Sequence, residues 1–97
     1  MGGKYAVGAT MAKELVGEVA HFFGKINVAA LKLSAPLRAG DRISFETKDG
    51  TAVLGQPVGS MQVNHQPVDS AAAGDDVAIK TEGKVHSGNL VYRVTEE

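Results

Sequence analysis

One piece of turn chemistry occurs three times in this sequence of 97 residues. A Gly is followed by Asp or Asn, and a branched apolar residue stands three positions after the Gly. The three copies run from Gly40-Asp41 to Ile43, from Gly74-Asp75 to Val77 and from Gly88-Asn89 to Val91. Glycine adopts positive φ without steric cost, and an Asp or Asn side chain can bond back to its own turn. The sequence therefore predicts three tight corners, each leading into a strand.

Apolar and polar residues alternate between these corners, which predicts short β-strands. The predicted strands are 15–23, 26–33, 41–47, 52–65, 77–80 and 89–95. Gly55, Pro57 and Gly59 predict a bulge or bend inside the fourth of them. No segment has a convincing helical pattern, so the sequence predicts an all-β fold, either a small antiparallel barrel or a sandwich.

The pair Gly24-Lys25 lies between the first two predicted strands and has three interpretations. A phosphate-binding loop requires four residues between its glycines and a Ser or Thr after the Lys, whereas six residues separate Gly17 from Gly24 and Ile26 follows the Lys. An aromatic and basic platform for nucleic acid is the second interpretation. A two-residue turn of a β-hairpin is the third, and we favour it.

Length and charge limit the classes of function. Residues 1–13 are expected to form a loose leader and residues 14–97 a single domain. The net charge is −1, but residues 1–48 carry seven Lys/Arg and four Asp/Glu, whereas residues 49–97 carry three and seven. Any basic surface must therefore use mainly the first half. With no cysteine and no signal-peptide pattern, we expect a cytoplasmic protein without a membrane span.

The titratable residues offer little catalytic chemistry. His21 alternates with Val19 and Phe23 and is expected to be packed, whereas His65 is expected in a turn. A cluster of His21 and His65 with His86 is the competing hypothesis, and only folding could assemble it. Asp75 is expected to cap a turn rather than to chelate a metal with its neighbour. No nucleophile has a partner base nearby in the sequence.

Basic residues near turns, together with one aromatic residue, form the candidate site. Cations of this kind can follow a nucleic-acid backbone while an aromatic ring stacks on a base. The candidates are Phe22, Lys25, Arg38, Arg42, Lys48 and Lys84. The competing interpretation is a solvated surface with a phenylalanine that belongs to the core.

The corners and their surroundings resemble the second domain of translational GTPases, of which elongation factor Tu is the best-known member. The stretch Leu37-Arg38-Ala39-Gly40-Asp41 with Ile43 resembles the family's Lys/Arg-x-Gly-Asp/Glu step. Residues 73–79 resemble its Ala-Gly-Asp/Glu-x-Val-Gly step, although Ala78 stands near the position where a Gly is expected. Gly83, Val85 and residues 88–91 resemble its closing segment. The similarity covers about residues 15–95 and implies a closed six-stranded Greek-key β-barrel.

The resemblance does not extend to the GTPase domain of the family, because this sequence has neither a phosphate loop nor a partner for magnesium or guanine. Lone barrels of this type are similar to small elongation-factor-like proteins and to barrels appended to RNA-modifying or peptidase-like enzymes. We therefore expect a non-enzymatic accessory module that binds tRNA, rRNA or the ribosome, without cofactor, metal or nucleotide. The alternative is a protein-interaction domain that docks on a separate GTPase or enzyme subunit or forms a homodimer.

Overall fold

The computed structural model describes residues 11–96, and every regular element in them is a β-strand. The strands are β1 (Met11–Phe23), β2 (Val28–Leu33), β3 (Leu37–Arg38), β4 (Arg42–Glu46), β5 (Ala52–Pro57), β6 (Met61–Val63), β7 (Gln66–Pro67), β8 (Ser70–Ala71), β9 (Asp76–Lys80) and β10 (Leu90–Glu96). The predicted all-β class is confirmed. Most of the expected leader lies outside the described residues, and residues 11–13 already belong to β1.

Eight strands form one antiparallel sheet in the order β5-β4-β10-β1-β2-β9-β6-β7, and β3 pairs with β8 separately. β5 and β6 stand six positions apart in this order, which would separate them by about 29 Å in a flat sheet. Yet only residues 58–60 connect them in the chain, a link that spans at most about 14 Å from Pro57 to Met61. The sheet must therefore curl until its two edges approach each other.

A side chain links edge strand β5 to β9 in the described part of the molecule, where no strand ladder joins β5 to β6. Gln56 in β5 is buried, and its Nε2 donates to the carbonyl oxygen of Lys80 at 2.9 Å. Its Oε1 accepts from the backbone N–H of Glu82 at 2.7 Å. The side-chain amide of Gln56 thus makes the two hydrogen bonds that a backbone peptide group would make between paired strands. We call this junction between β5 and β9 the seam. The closed six-stranded barrel itself stays a prediction.

The inward positions of the curled sheet form one hydrophobic core. Ile43 and Phe45 are fully buried, as the alternation in β4 predicts. The fully enclosed side chains are aliphatic apart from Phe45, and they are contributed by nearly every long strand: Val16, Val19, Leu31, Leu37, Ile43, Phe45, Ile79, Val85 and Val91. The residue three positions after each corner glycine, namely Ile43, Val77 or Val91, is in this core.

The three predicted corners share one geometry. Gly40, Gly74 and Gly88 have φ of 93°, 93° and 90°. At each corner the Asp or Asn backbone N–H donates to the carbonyl three residues earlier, at 3.0–3.1 Å. Its side-chain oxygen accepts from the N–H of that earlier residue at 2.9 Å, which pairs Asp41 with Arg38, Asp75 with Ala72 and Asn89 with His86. The predictions that Gly takes the positive φ and that the next side chain caps the turn are confirmed.

Two expectations about the first hairpin are wrong. Phe23 pairs with Val28, so the turn contains four residues, 24–27, rather than Gly24 and Lys25 alone. Asn27, with φ of 53°, is the residue in the left-handed region. The second strand consequently begins at Val28, and Ile26 lies in the turn with 57% of its surface exposed.

The predicted faces of β1 are also wrong beyond Val19, because a β-bulge interrupts the strand. Val19 pairs with Leu31, but His21 pairs with Ala30, so Ala20 is the extra residue. A one-residue insertion moves every following side chain to the other face. His21 and Phe23 therefore point away from the core, and Phe22 packs against it.

Candidate nucleic-acid interface

Three of the predicted cations lie at the same end of the sheet. β4 and β9 run in the same direction as β1, because each is separated from it by one antiparallel neighbour. The connections that follow these three strands, 24–27, 47–51 and 81–89, therefore lie at one end of the sheet. They carry Lys25, Lys48 and Lys84, all exposed. We call this end of the sheet, with its three lysines, the lysine end.

The two predicted arginines are at the opposite end. Arg42 is the first residue of β4. Arg38 pairs with Ser70, and Ser70 precedes the corner that leads into β9. Both arginines are exposed. The structure therefore divides the candidate cations into two groups and does not bring all of them onto one surface.

Few contacts hold the cations of the lysine end. Lys48 Nζ lies 4.0 Å from a carboxylate oxygen of Glu18, and both side chains are more than half exposed, so the pair is weak and screened by salt. Within residues 11–96 neither Lys25 nor Lys84 forms an ion pair. Both ammonium groups are therefore available to an anionic partner, although Glu82 lowers the positive charge nearby.

Phe22, the predicted stacking residue, packs against the core and is only partly exposed. This position agrees with the competing interpretation of a core phenylalanine. Phe23 is instead 46% exposed, and its ring lies 4.4 Å from the His21 ring in an edge-to-face contact. The sequence analysis missed Phe23 because nothing in the sequence marks the bulge at Ala20.

A groove of about 310 Å³ lies beside Phe23 on the outer face of β1, β2, β9 and β6. Its floor contains Ala30 and Ala78, which pair with each other across β2 and β9. Gln62 pairs with Ala78 from the other side and lines the groove as well. Small residues on the floor and larger ones around it give this outer face its concave shape.

The wall of this groove opposite Phe23 contains Asn64 and His65, with φ of 53° and 63°. They form the two-residue turn between β6 and β7, since Val63 pairs with Gln66. Positive φ at both central positions is typical of a type I′ hairpin turn. The expectation that His65 is a turn residue is confirmed, and the sequence analysis did not identify its position beside a groove.

The three histidines lie on the surface, and none belongs to a metal-binding group within residues 11–96. All three are exposed, which makes the expectation of a packed His21 wrong, and the bulge is the reason. In residues 11–96 no three His, Asp or Glu side chains are placed to hold a metal ion together. Asp75 caps its corner, whereas Asp76 faces Lys32 at 3.9 Å.

Two ionisable groups have shifted pKa values, and both have structural causes. The Thr47 hydroxyl, followed by the hydroxyl and N–H of Thr51, donates to Asp49 and lowers the pKa of its carboxyl group. The hydrogen bond and charge of Glu14, with a further contribution from Asp41, raise the pKa of Arg93 against the effect of burial. Neither group lies in the groove.

Arg93 in β10 connects β1 to the corner at Asp41. Its guanidinium donates to the carbonyl of Pro36 at 2.7 Å, lies 3.5 Å from Asp41 and is bonded to Glu14.

No helix within residues 11–96 is long and apolar enough to cross a membrane.

No protein-family model matches the sequence. The chain is 36% identical over 81 residues to an uncharacterized protease of Methanocaldococcus jannaschii, an alignment that covers 84% of this chain and 20% of that protein. The chain thus spans about a fifth of the length of the curated relative that it matches.

Solved structures share the fold. The C-terminal domain of a Geobacillus thermoleovorans protein assigned to the U32 peptidases superposes with a TM-score of 0.74 at 17% identity, covering 82% of this chain and 99% of that one. Bacterial selenocysteine-specific elongation factor EF-Sec gives 0.66 at 22% identity, covering 84% and 15%. Initiation factor aIF5B of Aeropyrum pernix gives 0.54 at 11% identity, covering 90% and 15%. The chain therefore has the β fold found in domains of translation factors and of that peptidase.

Proposed function

We propose that this chain is a non-enzymatic accessory module that binds RNA, or a ribonucleoprotein of the translation apparatus, through its lysine end. The observation that carries the proposal is that Lys25, Lys48 and Lys84 lie in three separate connections at the same end of the sheet. Long, mobile ammonium side chains contact successive phosphates without requiring a fixed sequence of bases. The proposal assigns no catalytic residue, cofactor or nucleotide.

Comparison with known proteins supports this proposal at the level of fold. EF-Sec and aIF5B are translation factors, and the region matching this chain is about 15% of each. In our proposal the curled sheet is a closed six-stranded Greek-key barrel of the elongation factor Tu domain 2 type, with Gln56 at its seam. It acts in the cytoplasm on tRNA, rRNA or the ribosome.

The salt dependence of binding to a fluorescent single-stranded RNA of about ten nucleotides tests the proposal, since each phosphate contact contributes about 0.7 to the slope of log K against log[salt]. The double variant Lys25→Ala, Lys84→Ala should reduce that slope by about 1.4. The double variant Arg38→Ala, Arg42→Ala changes charge equally at the opposite end and should alter it much less. A wild-type affinity that does not depend on salt, or equal effects of the two variants, contradicts the proposal.

A protein-interaction module is the second candidate, and exposed apolar residues favour it. Leu15, Phe23 and Ile26 are 46%, 46% and 57% exposed. The match to one fifth of a protease adds the setting of a domain attached to, or docked on, an enzyme. Light scattering that shows a dimer, or salt-independent capture of one enzyme subunit that Ile26→Ser abolishes, would favour this candidate over RNA.

A further inference from the structure

The two-stranded ladder of β3 and β8 presents a polar pair to solvent at the end of the molecule opposite the lysine end. Leu37 pairs with Ala71, and both side chains are buried in the core. Arg38 pairs with Ser70 at the next position, and successive side chains of a strand point to opposite faces. Arg38 and Ser70 therefore lie side by side on the outer face, where both are exposed.

A pocket of about 500 Å³ opens over this outer face. Its volume is within the range of small-ligand sites, about 300–1,000 Å³. Arg38 and Ser70 line it, and Pro36, Ala71 and Ala72 give it apolar walls. Apolar walls with a few polar groups directed into the same space are the usual composition of a ligand site.

The backbone on both sides of the pocket is fixed by the caps of two corners. The N–H of Arg38 donates to Asp41 Oδ2, and the N–H of Ala72 donates to Asp75 Oδ2, both at 2.9 Å. Because these bonds hold β3 and β8 independently of any ligand, the pocket has its shape before a ligand enters. A preformed pocket lowers the entropic cost of binding.

Arg38 supplies the cation of the pocket, and within residues 11–96 it forms no ion pair. A guanidinium is a planar fork that binds one carboxylate through two parallel hydrogen bonds. Asp69, next to Ser70 in the chain, and Asp75, in the pocket wall, are carboxylates without an ion pair in the same range. They oppose the second negative charge of a phosphate, so the pocket favours a singly charged carboxylate.

Asp75 adds a hydrogen-bond acceptor to this pocket. Its Oδ2 accepts from Ala72, and its second oxygen can accept from a ligand, because a carboxylate has two acceptor oxygens. Ala72 follows Ser70 by two residues, a separation of about 7 Å along a strand. An extended peptide advances about 3.4 Å per residue. A peptide whose terminal carboxylate meets Arg38 therefore brings an N–H of its last two residues towards Asp75.

We propose that this pocket binds the C-terminus of a polypeptide. The terminal carboxylate bonds to Arg38 and to the Ser70 hydroxyl, a peptide N–H donates to Asp75, and a small last side chain packs against Pro36 and Ala72. The inference does not depend on the proposed function, because the pocket and the lysine end are at opposite ends of the sheet. Both sites can therefore be occupied at the same time.

Amide NMR of the full chain titrated with N-acetyl-trialanine tests the pocket, and the C-terminal amide of the same peptide is the control that lacks the charge. We expect shifts centred on Arg38, Ser70 and Ala72, and an affinity at least about tenfold weaker for the amide, because it loses charge-assisted hydrogen bonds. Equal affinities, or shifts outside the pocket, overturn the inference. Inorganic phosphate that binds at these residues as tightly as the peptide acid overturns the choice of a carboxylate.

Single arginine variants separate the pocket from the general charge of this end of the molecule. Arg38→Gln should remove the preference for the acid over the amide, and Arg38→Lys should restore only part of it, because an ammonium lacks the planar fork. Arg42→Gln removes an equal charge at an exposed residue outside the pocket and should leave the preference unchanged. A preference that survives Arg38→Gln, or that Arg42→Gln lowers equally, contradicts the proposal whether or not RNA binds at the lysine end.

Discussion

The side-chain amide of Gln56 bonds to the backbone of β9 and of the segment after it, at the carbonyl of Lys80 and the N–H of Glu82. Gln56 is 2% exposed, so its replacement by an apolar residue leaves two backbone groups without this partner. We expect Gln56→Leu to lower the free energy of unfolding by about 1–3 kcal/mol, measured by urea denaturation. Gln66→Leu, at an exposed glutamine, should change it by less than about 0.5 kcal/mol. Equal effects would show that the bridge contributes nothing.

The corner glycines provide a test of backbone conformation separate from packing. A Cβ at Gly40 would meet no atom within 4 Å, yet φ there is 93°. Gly40→Ala should therefore destabilise the fold by about 1–2 kcal/mol through the left-handed backbone alone. Gly59 has similar open space without a positive φ, so Gly59→Ala should stabilise by about 0.4–1 kcal/mol. Thermal unfolding of both variants measures the contrast, and similar changes in both would contradict the argument.

Gly17 tests the opposite case, in which space is the limit. A Cβ on Gly17 would lie 2.7 Å from the backbone oxygen of Lys32, an atom fixed by the β1–β2 ladder. Gly17→Ala should lower the free energy of unfolding by about 2 kcal/mol or more. Gly55→Ala is the matched control, because its nearest neighbour would be 3.9 Å away. A tolerated alanine at Gly17 would mean that β1 and β2 separate more easily than their pairing suggests.

Glu46 is a nearly buried carboxylate in β4, held by a lysine of β1 and a serine of its own strand. Its oxygens accept from Lys13 Nζ at 2.8 and 3.0 Å and from Ser44 Oγ at 3.2 Å. Lys13 is about half exposed, so we expect Lys13→Met to cost only about 1 kcal/mol, near the upper value for solvent-exposed pairs. In a double-mutant cycle with Glu46→Gln the coupling energy should be of similar size. A coupling near zero would indicate that water replaces the ammonium without loss.

The lowered pKa of Asp49 predicts a pH dependence with a definite sign. Its ordinary pKa is 3.8, and the folded value is lower because Thr47 and Thr51 donate to the carboxylate. The stabilisation is therefore complete above the ordinary value and disappears as the pH falls through the folded one. NMR titration of the carboxyl carbon should show the pKa rising towards its ordinary value in Thr47→Val. No change in that variant would remove the hydroxyl as the main cause.

The three corners could be predicted from the sequence because their cause is local. Each needs only a Gly with positive φ and a following side chain that closes the turn, and these residues are consecutive. The sequence therefore predicts Gly40-Asp41 and its two counterparts. The bend after β5 was readable for the same reason, since Pro57 and Gly59 interrupt any strand.

The candidate site was only partly predictable, because its geometry depends on pairing between distant strands. Lys25, Lys48 and Lys84 lie at one end of the sheet because of the strand order, and the local sequence pattern does not predict strand order. The bulge at Ala20 is set by how β1 matches β2, and it exchanged the roles of Phe22 and Phe23. Gln56 lies opposite Lys80 only after the sheet curls, so nothing near it in the sequence marks it as a bridge.

The first and last strands of the described chain are neighbours, and Ala12 lies opposite Thr95 in their antiparallel ladder. Traction applied to both of these ends would pull the two strands apart from one side, breaking backbone bonds successively rather than all together. Mechanical resistance along that direction is therefore low, even though the same ladder lies in the middle of the sheet. A protein that pulls on Ala12 and Thr95 in opposite directions would separate β1 from β10 with little force.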